Sequence, residues 1–166
     1  MVGETPVART AQEGKFLSFV LGEEEYGLEI LKVQEINSMT GITSVPWTPE
    51  YVSGVINLRG RVIPIVNLRR KFNLPVTADT EKTCIIVVQV DHADDELTMG
   101  IVVDEVSDVL NIRGDQIEPA PGFGGGMAAA DFVTGMGKLE DKSVILMDID
   151  CVLNSEEIDA VIQSVN

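Results

Sequence analysis

Apolar residues run through this chain in short blocks broken by Gly, Pro and acidic residues, and several blocks are apolar on both faces. Lys15–Leu21 alternates Phe16, Ser18 and Val20 against Leu17, Phe19 and Leu21, which predicts a strand buried on both sides. The Gly22–Glu25 turn and Tyr26–Ile30 complete a hairpin. Val33–Ile36 reads equally as strand or as a short turn of helix. Gly41, Pro46 and Pro49 mark a loop, in which Thr48 is placed to cap a short helix with Pro49 at its first position and Glu50 in its first turn. Val55–Leu58 and Val62–Leu68 flank Arg59-Gly60-Arg61, where Gly60 supplies the positive φ of a tight hairpin turn. Pro64 places an edge or a bulge in the second strand, and Leu68–Asn73 fits one helical turn. Further along, Thr83–Val90 is another two-faced strand, Asp91–Glu96 is a turn and Thr98–Val103 returns. The C-terminus is the clearest helix, capped by Asn154 or Ser155, with Glu156 and Glu157 in the first turn and Ile158, Val161, Ile162 and Val165 forming one stripe. Such a stripe packs back on a barrel or receives a partner.

The pattern also repeats. Residues 51–68 (YVSGVINLRGRVIPIVNL) match residues 132–149 (FVTGMGKLEDKSVILMDI) at an offset of 81 without gaps, pairing Gly54 with Gly135, Leu58 with Leu139 and Ile65 with Leu146. A second block matches at an offset of 73, setting Tyr26-Gly27-Leu28 against Met99-Gly100-Ile101 and Val33 against Val106. The second copy therefore carries eight extra residues, which fall in the Gly-rich loop Glu118–Ala130. This describes a strand-rich unit present twice, with approximate halves at 14–80 and 81–152 and a helix from 154, after a disordered arm at 1–13. Many short strands separated by Gly and Pro turns indicate small barrels or a sandwich.

Composition narrows the function. The net charge of −15 repels nucleic acid and anionic lipid on average. Residues 51–78 nevertheless hold Arg59, Arg61, Arg69, Arg70 and Lys71 and no Asp or Glu. That island is either a solvated hairpin with a cationic helix end or a recognition patch for an acidic protein surface. No apolar run is long enough to span a bilayer, and the N-terminus lacks a signal-peptide core, so a cytoplasmic location is expected. Cys84 and Cys151 sit in apolar segments at a spacing that fits no zinc or redox motif and read as buried free thiols.

No catalytic constellation assembles. His92 is the single histidine and lies in the acidic turn DHADDE, which lacks the Gly and distal Glu of a dedicated Ca²⁺ loop and reads as solvated. Gly122–Gly126 follows Pro119 and Pro121 rather than a strand, which excludes a dinucleotide fingerprint. Neither a metal nor a cofactor is expected. Binding features are stronger. An Arg fork beside the hairpin Gly, at Arg59 or Arg61, is suited to pairing bidentately with a carboxylate. Phe123, between glycines, is either a hot-spot anchor or tucked under its own loop.

With those residues in place, the chain resembles the CheW family of bacterial chemotaxis coupling proteins. The likeness is carried by FLSFVLGEEEYGLEILKVQEI (16–36), YVSGVINLRGRVIPIVNLRRKF (51–72), MGIVVDEVSDVL (99–110), QIEPAPGF (116–123), FVTGMGKL (132–139), VILMDID (144–150) and LNSEEI (153–158), nearly the whole chain. The resemblance implies a single domain over 14–160, mainly β, of two five-stranded SH3-like barrels. It also implies a non-enzymatic adaptor that joins the histidine kinase CheA to the cytoplasmic tips of methyl-accepting chemoreceptors in membrane-associated arrays. Carried over by motif, the receptor-facing groove involves Val33, Glu35, Asn57, Arg59, Gly100 and Val106, and the loop around Phe123 is a candidate for the kinase. A small enzyme or ligand-binding β protein using the cleft between the copies is the alternative.

Overall fold

The computed structural model describes residues 12–39, 41–92, 95–119 and 132–163. The strands are β1 (Gly14–Leu21), β2 (Glu24–Glu29), β3 (Val33–Ser38), β4 (Val52–Leu58), β5 (Arg61–Asn67), β6 (Cys84–His92), β7 (Asp95–Val103), β8 (Glu105–Ile112), β9 (Ile117–Glu118), β10 (Val133–Lys138) and β11 (Ser143–Met147). Two short helices are α1 (Leu68–Lys71) and α2 (Ser155–Gln163). The expected arm at 1–13 falls, but for its last two residues, outside the described residues, as do Phe123 and Val165.

The strands form two curled sheets of matching order. One runs β8-β1-β2-β11-β10-β9 and the other β3-β6-β7-β5-β4. Each contains one parallel contact, β11 against β2 and β5 against β7, at the same place in the order. The registers agree residue by residue with the repeat: Gly27 faces Leu146 and Gly100 faces Ile65, which are offsets of 73 and 81 in a single pair. Bulges recur too, between Val52 and Gly54 and between Val133 and Gly135. The fold is thus mainly β and duplicated. Each sheet, however, takes its first hairpin from one copy and its remaining long strands from the other. β1 and β2 sit with β8, β10 and β11, while β6 and β7 sit with β3, β4 and β5.

This exchange explains the two-faced strands. Ile85 and Val87 of β6 fill the interior of one barrel with Ile56, Ile63, Ile65 and Val102, while Ile86, Val88 and Val90 enter a larger core shared by both sheets. In β1, Phe16 packs inside the other barrel with Ile112, Val144 and Leu146, and Leu17, Phe19 and Leu21 join the shared core. Burial at roughly 25 cal/mol per Å² of apolar surface on both faces makes these strands the main source of stability. The aromatic row Phe19, Tyr26, Phe72 and Phe132 also crosses between the copies, with Phe72 and Phe132 stacked at 4.7 Å. Gly27 and Gly100 occupy matched interior positions where a Cβ would meet Leu146 at 3.2 Å and Ile65 at 2.7 Å, respectively.

Each barrel is closed by the same device. Thr43 exchanges backbone hydrogen bonds of 2.9 Å with Val55, and β9 pairs Glu118 with Met136, the residue 81 positions after Val55. Pro64 faces Val55, whose backbone groups bond Thr43 on the far side, so the missing Pro N–H breaks no rung between β4 and β5. Pairing with β7 begins only at Ile65. Pro64 is therefore at a local edge, as its place in the pattern predicts.

Several local expectations are corrected or resolved. No helix forms at Pro49: Thr48 donates its hydroxyl to Val45 O (3.0 Å), and Val52 N closes a turn onto Pro49 O (3.0 Å). Asp91 and His92 continue β6 and pair with Glu96 and Asp95 of β7 instead of lying in an open turn. His92 is only part-exposed and its Nε2 sits 3.2 Å from Asp159 of α2. Val33–Ile36 is strand, after a single 3-10 turn at Ile30–Lys32. The C-terminal helix has Asn154 as its cap, in a reciprocal box with Glu157 (2.8 Å each way), and it buries Ile158 and Val161 in the shared core.

Candidate functional site

The β4–β5 hairpin ends in a two-residue turn in which both central residues are left-handed, Arg59 at φ 53° and Gly60 at φ 82°. That is the primed turn that matches strand twist, and it demands more than the single glycine does. Asn57 supplies the rest by accepting a hydrogen bond from Gly60 N through Oδ1 (3.0 Å). The hairpin therefore fixes the direction in which Arg59 leaves the chain.

Arg59 reaches across to β3. Its Nη1 donates to Glu35 Oε2 (2.5 Å) and its Nη2 to Glu35 Oε1 (3.2 Å), a bidentate pair. Asn37, two residues on along β3, donates to Glu35 Oε1 (3.2 Å) in the amide orientation that satisfies both of its ends. The Arg59 hydrogen bonds are the main reason that the Glu35 carboxyl is held below the usual range, and Asn37 adds to the effect. The Arg59 guanidinium is raised in turn. Arg59 remains 73% exposed while Glu35 is 23% exposed, so the pair presents cation outward over a sheltered carboxylate.

The remaining residues inferred from the sequence are placed differently. Val33 of β3 and Val106 of β8 are half-buried at equivalent positions of the two copies, and both pack on the shared core. Gly100 is buried in β7 between β5 and β6, where Ile65 and Ile85 leave no room for a side chain. Its glycine is explained by packing, so it does not offer a direct contact. The structure brings together Glu35, Asn57 and Arg59, and adds Asn37, which sequence reasoning missed. Its alternation with Glu35 along β3 was the available signal.

The second copy reverses the charge at the hairpin tip and keeps a carboxylate at the position of Glu35. At the 81-residue offset, Arg59 and Gly60 become Glu140 and Asp141, and at the 73-residue offset Glu35 becomes Asp108. The β10–β11 hairpin is tied instead by Lys142 to Glu25 (2.9 Å) and Lys138 to Glu118 (3.3 Å).

Comparison with known proteins fits this duplicated frame. Residues 15–157 match the model of the CheW-like domain. The chain belongs to the CheW-like family. A Chemotaxis protein CheW from Klebsiella aerogenes is 43% identical over 160 residues, covering 95% of this chain and 93% of that protein. Its counterpart from Rhizobium meliloti is 34% identical over 146 residues, covering 88% and 91%. Among solved structures, the scaffolding protein TtCheW from Thermoanaerobacter tengcongensis superposes with a TM-score of 0.76 at 34% identity, covering 88% of this chain and 97% of that one. The twin curled sheets are accordingly the SH3-like subdomains of a CheW-like protein. Among the described residues, no group of three or more His, Cys, Asp or Glu could hold a metal ion, and no helix is long and apolar enough to cross a membrane.

Proposed function

We propose that this CheW-like chain is a non-catalytic chemotaxis scaffold that couples a CheA-type histidine kinase to the cytoplasmic tips of methyl-accepting chemoreceptors. The observation that carries this reading is the hairpin tip of one copy only: Arg59, oriented by Asn57 and backed by Glu35, on the cationic segment of an acidic chain. A guanidinium already held in place loses little freedom when it meets a partner's carboxylate or carbonyl groups. Val33 and Val106 supply the apolar part of the receptor-facing groove. Gly100 acts there indirectly, by letting β5 and β7 approach. The loop around Phe123 is the kinase-facing candidate, and the protein works in the cytoplasm at membrane-associated arrays.

The groups with shifted pKa values support a structural use of charge. Lys32 is held by Asp150 and Asp91, and Arg69 by Asp104, at the junctions between elements of the two copies. The cavity beside Arg69 and Asp104 has a volume of about 20 Å³, room for water rather than substrate. Co-sedimentation of the chain with receptor signalling fragments and kinase tests the proposal. Recovery of chain and kinase with the receptor pellet is the expected result, and recovery of neither would overturn it.

A further inference from the structure

Asn37 is a polar residue at a position where the fold favours an apolar one. In β3 it pairs with Ile85 of β6, whose side chain lies inside the barrel with Ile56, Ile63 and Ile65. Residues opposite each other in a ladder share a face, so Asn37 belongs to the barrel-facing row of β3. The second copy shows how that position serves packing. Its equivalent, 73 residues on, is Leu110, which pairs with Phe16 and packs against the core of the other barrel. An amide in place of Leu gives up that apolar burial.

The amide has a different use. In the orientation that satisfies both of its ends, its Nδ2 donates to Glu35 Oε1 and to Ile36 O, each at 3.2 Å. The same Oε1 accepts from Arg59 Nη2, and Oε2 accepts from Nη1. The terminal torsion of a Glu side chain is broad, so a carboxylate held by Arg59 alone is free to turn with it. The Asn37 amide, itself anchored on Ile36 O, ties the carboxylate to β3. A bidentate guanidinium follows the orientation of the carboxylate it pairs with. The arrangement belongs to the first copy only. Asp108, Leu110 and Glu140 stand at the positions of Glu35, Asn37 and Arg59, and Asp108 Oδ1 accepts instead from Val109 N (2.8 Å).

We propose that Asn37 is a positioning residue for the receptor contact: by holding Glu35, it sets the direction in which the outer edge of the Arg59 guanidinium meets the partner. This inference rests on the scaffold reading above. Position 37 gives up barrel packing, and in return it orients a guanidinium that is 73% exposed. So exposed a pair adds little to stability, which leaves a contact outside the chain as the use of that orientation.

Asn37→Leu, the exchange that the second copy has already made, separates packing from positioning. Its urea midpoint is expected at or above that of the intact protein. In the free variant, the Glu35 carboxyl followed by ¹³C NMR is expected to titrate at higher pH, and the Arg59 Nε resonance to shift. Binding to receptor signalling fragments is expected to weaken about fivefold. Asn37→Asp is nearly isosteric, removes the donor and is expected to weaken binding no less, so the test survives a Leu variant that folds poorly. An unmoved Glu35 titration, binding by both variants equal to that of the intact protein, or binding lost only together with the fold would overturn the proposal and leave the scaffold reading standing. Failure of the intact protein to bind the fragments would overturn the scaffold reading, and this proposal with it.

Discussion

At the scale of single residues, charge and glycine do different work. Arg59 and Glu35 lie at the surface, where solvent screening makes an ion pair a weak contributor to stability. Arg59→Glu should therefore leave the urea-denaturation midpoint close to that of the intact protein, while abolishing the proposed receptor contact. Gly54 is the opposite case. At φ 146° its backbone suits glycine, and a Cβ would stand 2.1 Å from Thr43 O, on the bridge that closes the barrel. Gly54→Asp should cost about 3 kcal/mol or more, and Gly135→Asp, at the matched buried position facing Leu146, should also lower the melting temperature. Unchanged melting of both variants would contradict the account of the repeat. Gly60 and the capacity of Arg59 for a bidentate pair were legible in the sequence, but not that the carboxylate it meets is Glu35 of the same chain. The left-handed turn at Arg59 was not, because only the hydrogen bond from Gly60 N to Asn57 makes a non-glycine residue acceptable there.

At the scale of elements, buried-edge ion pairs and caps hold the pieces in register. Asp104 accepts from Arg69 Nε (2.8 Å) and Nη2 (2.7 Å) and from Gly22 N (2.9 Å), joining β7, α1 and the β1–β2 turn. Burial pushes its carboxyl up, but the Arg69 and Gly22 hydrogen bonds outweigh that and hold it below its ordinary value of 3.8. A depressed carboxylate adds stability that is fully present above its unfolded pKa and is lost as pH falls through the folded one. The acid limb of a stability–pH curve, below the ordinary 3.8, should flatten in Asp104→Asn; an unchanged limb would remove this clamp from the account. At the alkaline end, burial chiefly, with Glu157 nearby, pushes the Tyr51 hydroxyl up to about 12, and Tyr26 is also raised. These are the only two tyrosines, so ultraviolet titration of the folded protein should show no phenolate step at 10.0. The cap of α2 was narrowed in the sequence to Asn154 or Ser155, and the reciprocal box with Glu157 selects Asn154. The helix expected at Pro49 failed because Thr48 spends its hydroxyl on Val45 and only Glu50 and Tyr51 separate Pro49 from β4.

At the scale of the whole molecule, the chain is two copies that exchange their first hairpins. Periodicity and the 73- and 81-residue offsets reveal the duplication and which positions are equivalent in the two copies. They do not reveal which copy each hairpin joins, because equivalent partners present nearly the same apolar surface. That choice is decided by chain connectivity, with β2 leading through one 3-10 turn into β3 of the other sheet. Separate fragments 1–80 and 81–166 should each lack a complete sheet and give no cooperative thermal transition, while the intact chain unfolds in one step by calorimetry. The exchange also sets unlike faces on one rigid frame, Arg59 at one hairpin tip and Glu140 and Asp141 at its counterpart. The proposed coupling of two different partners needs that asymmetry. Co-sedimentation of the intact protein and Arg59→Glu with receptor signalling fragments and kinase tests it most directly. The variant is expected to stay folded and to leave the receptor pellet; a folded variant that pellets as well as the intact protein would contradict the proposed contact.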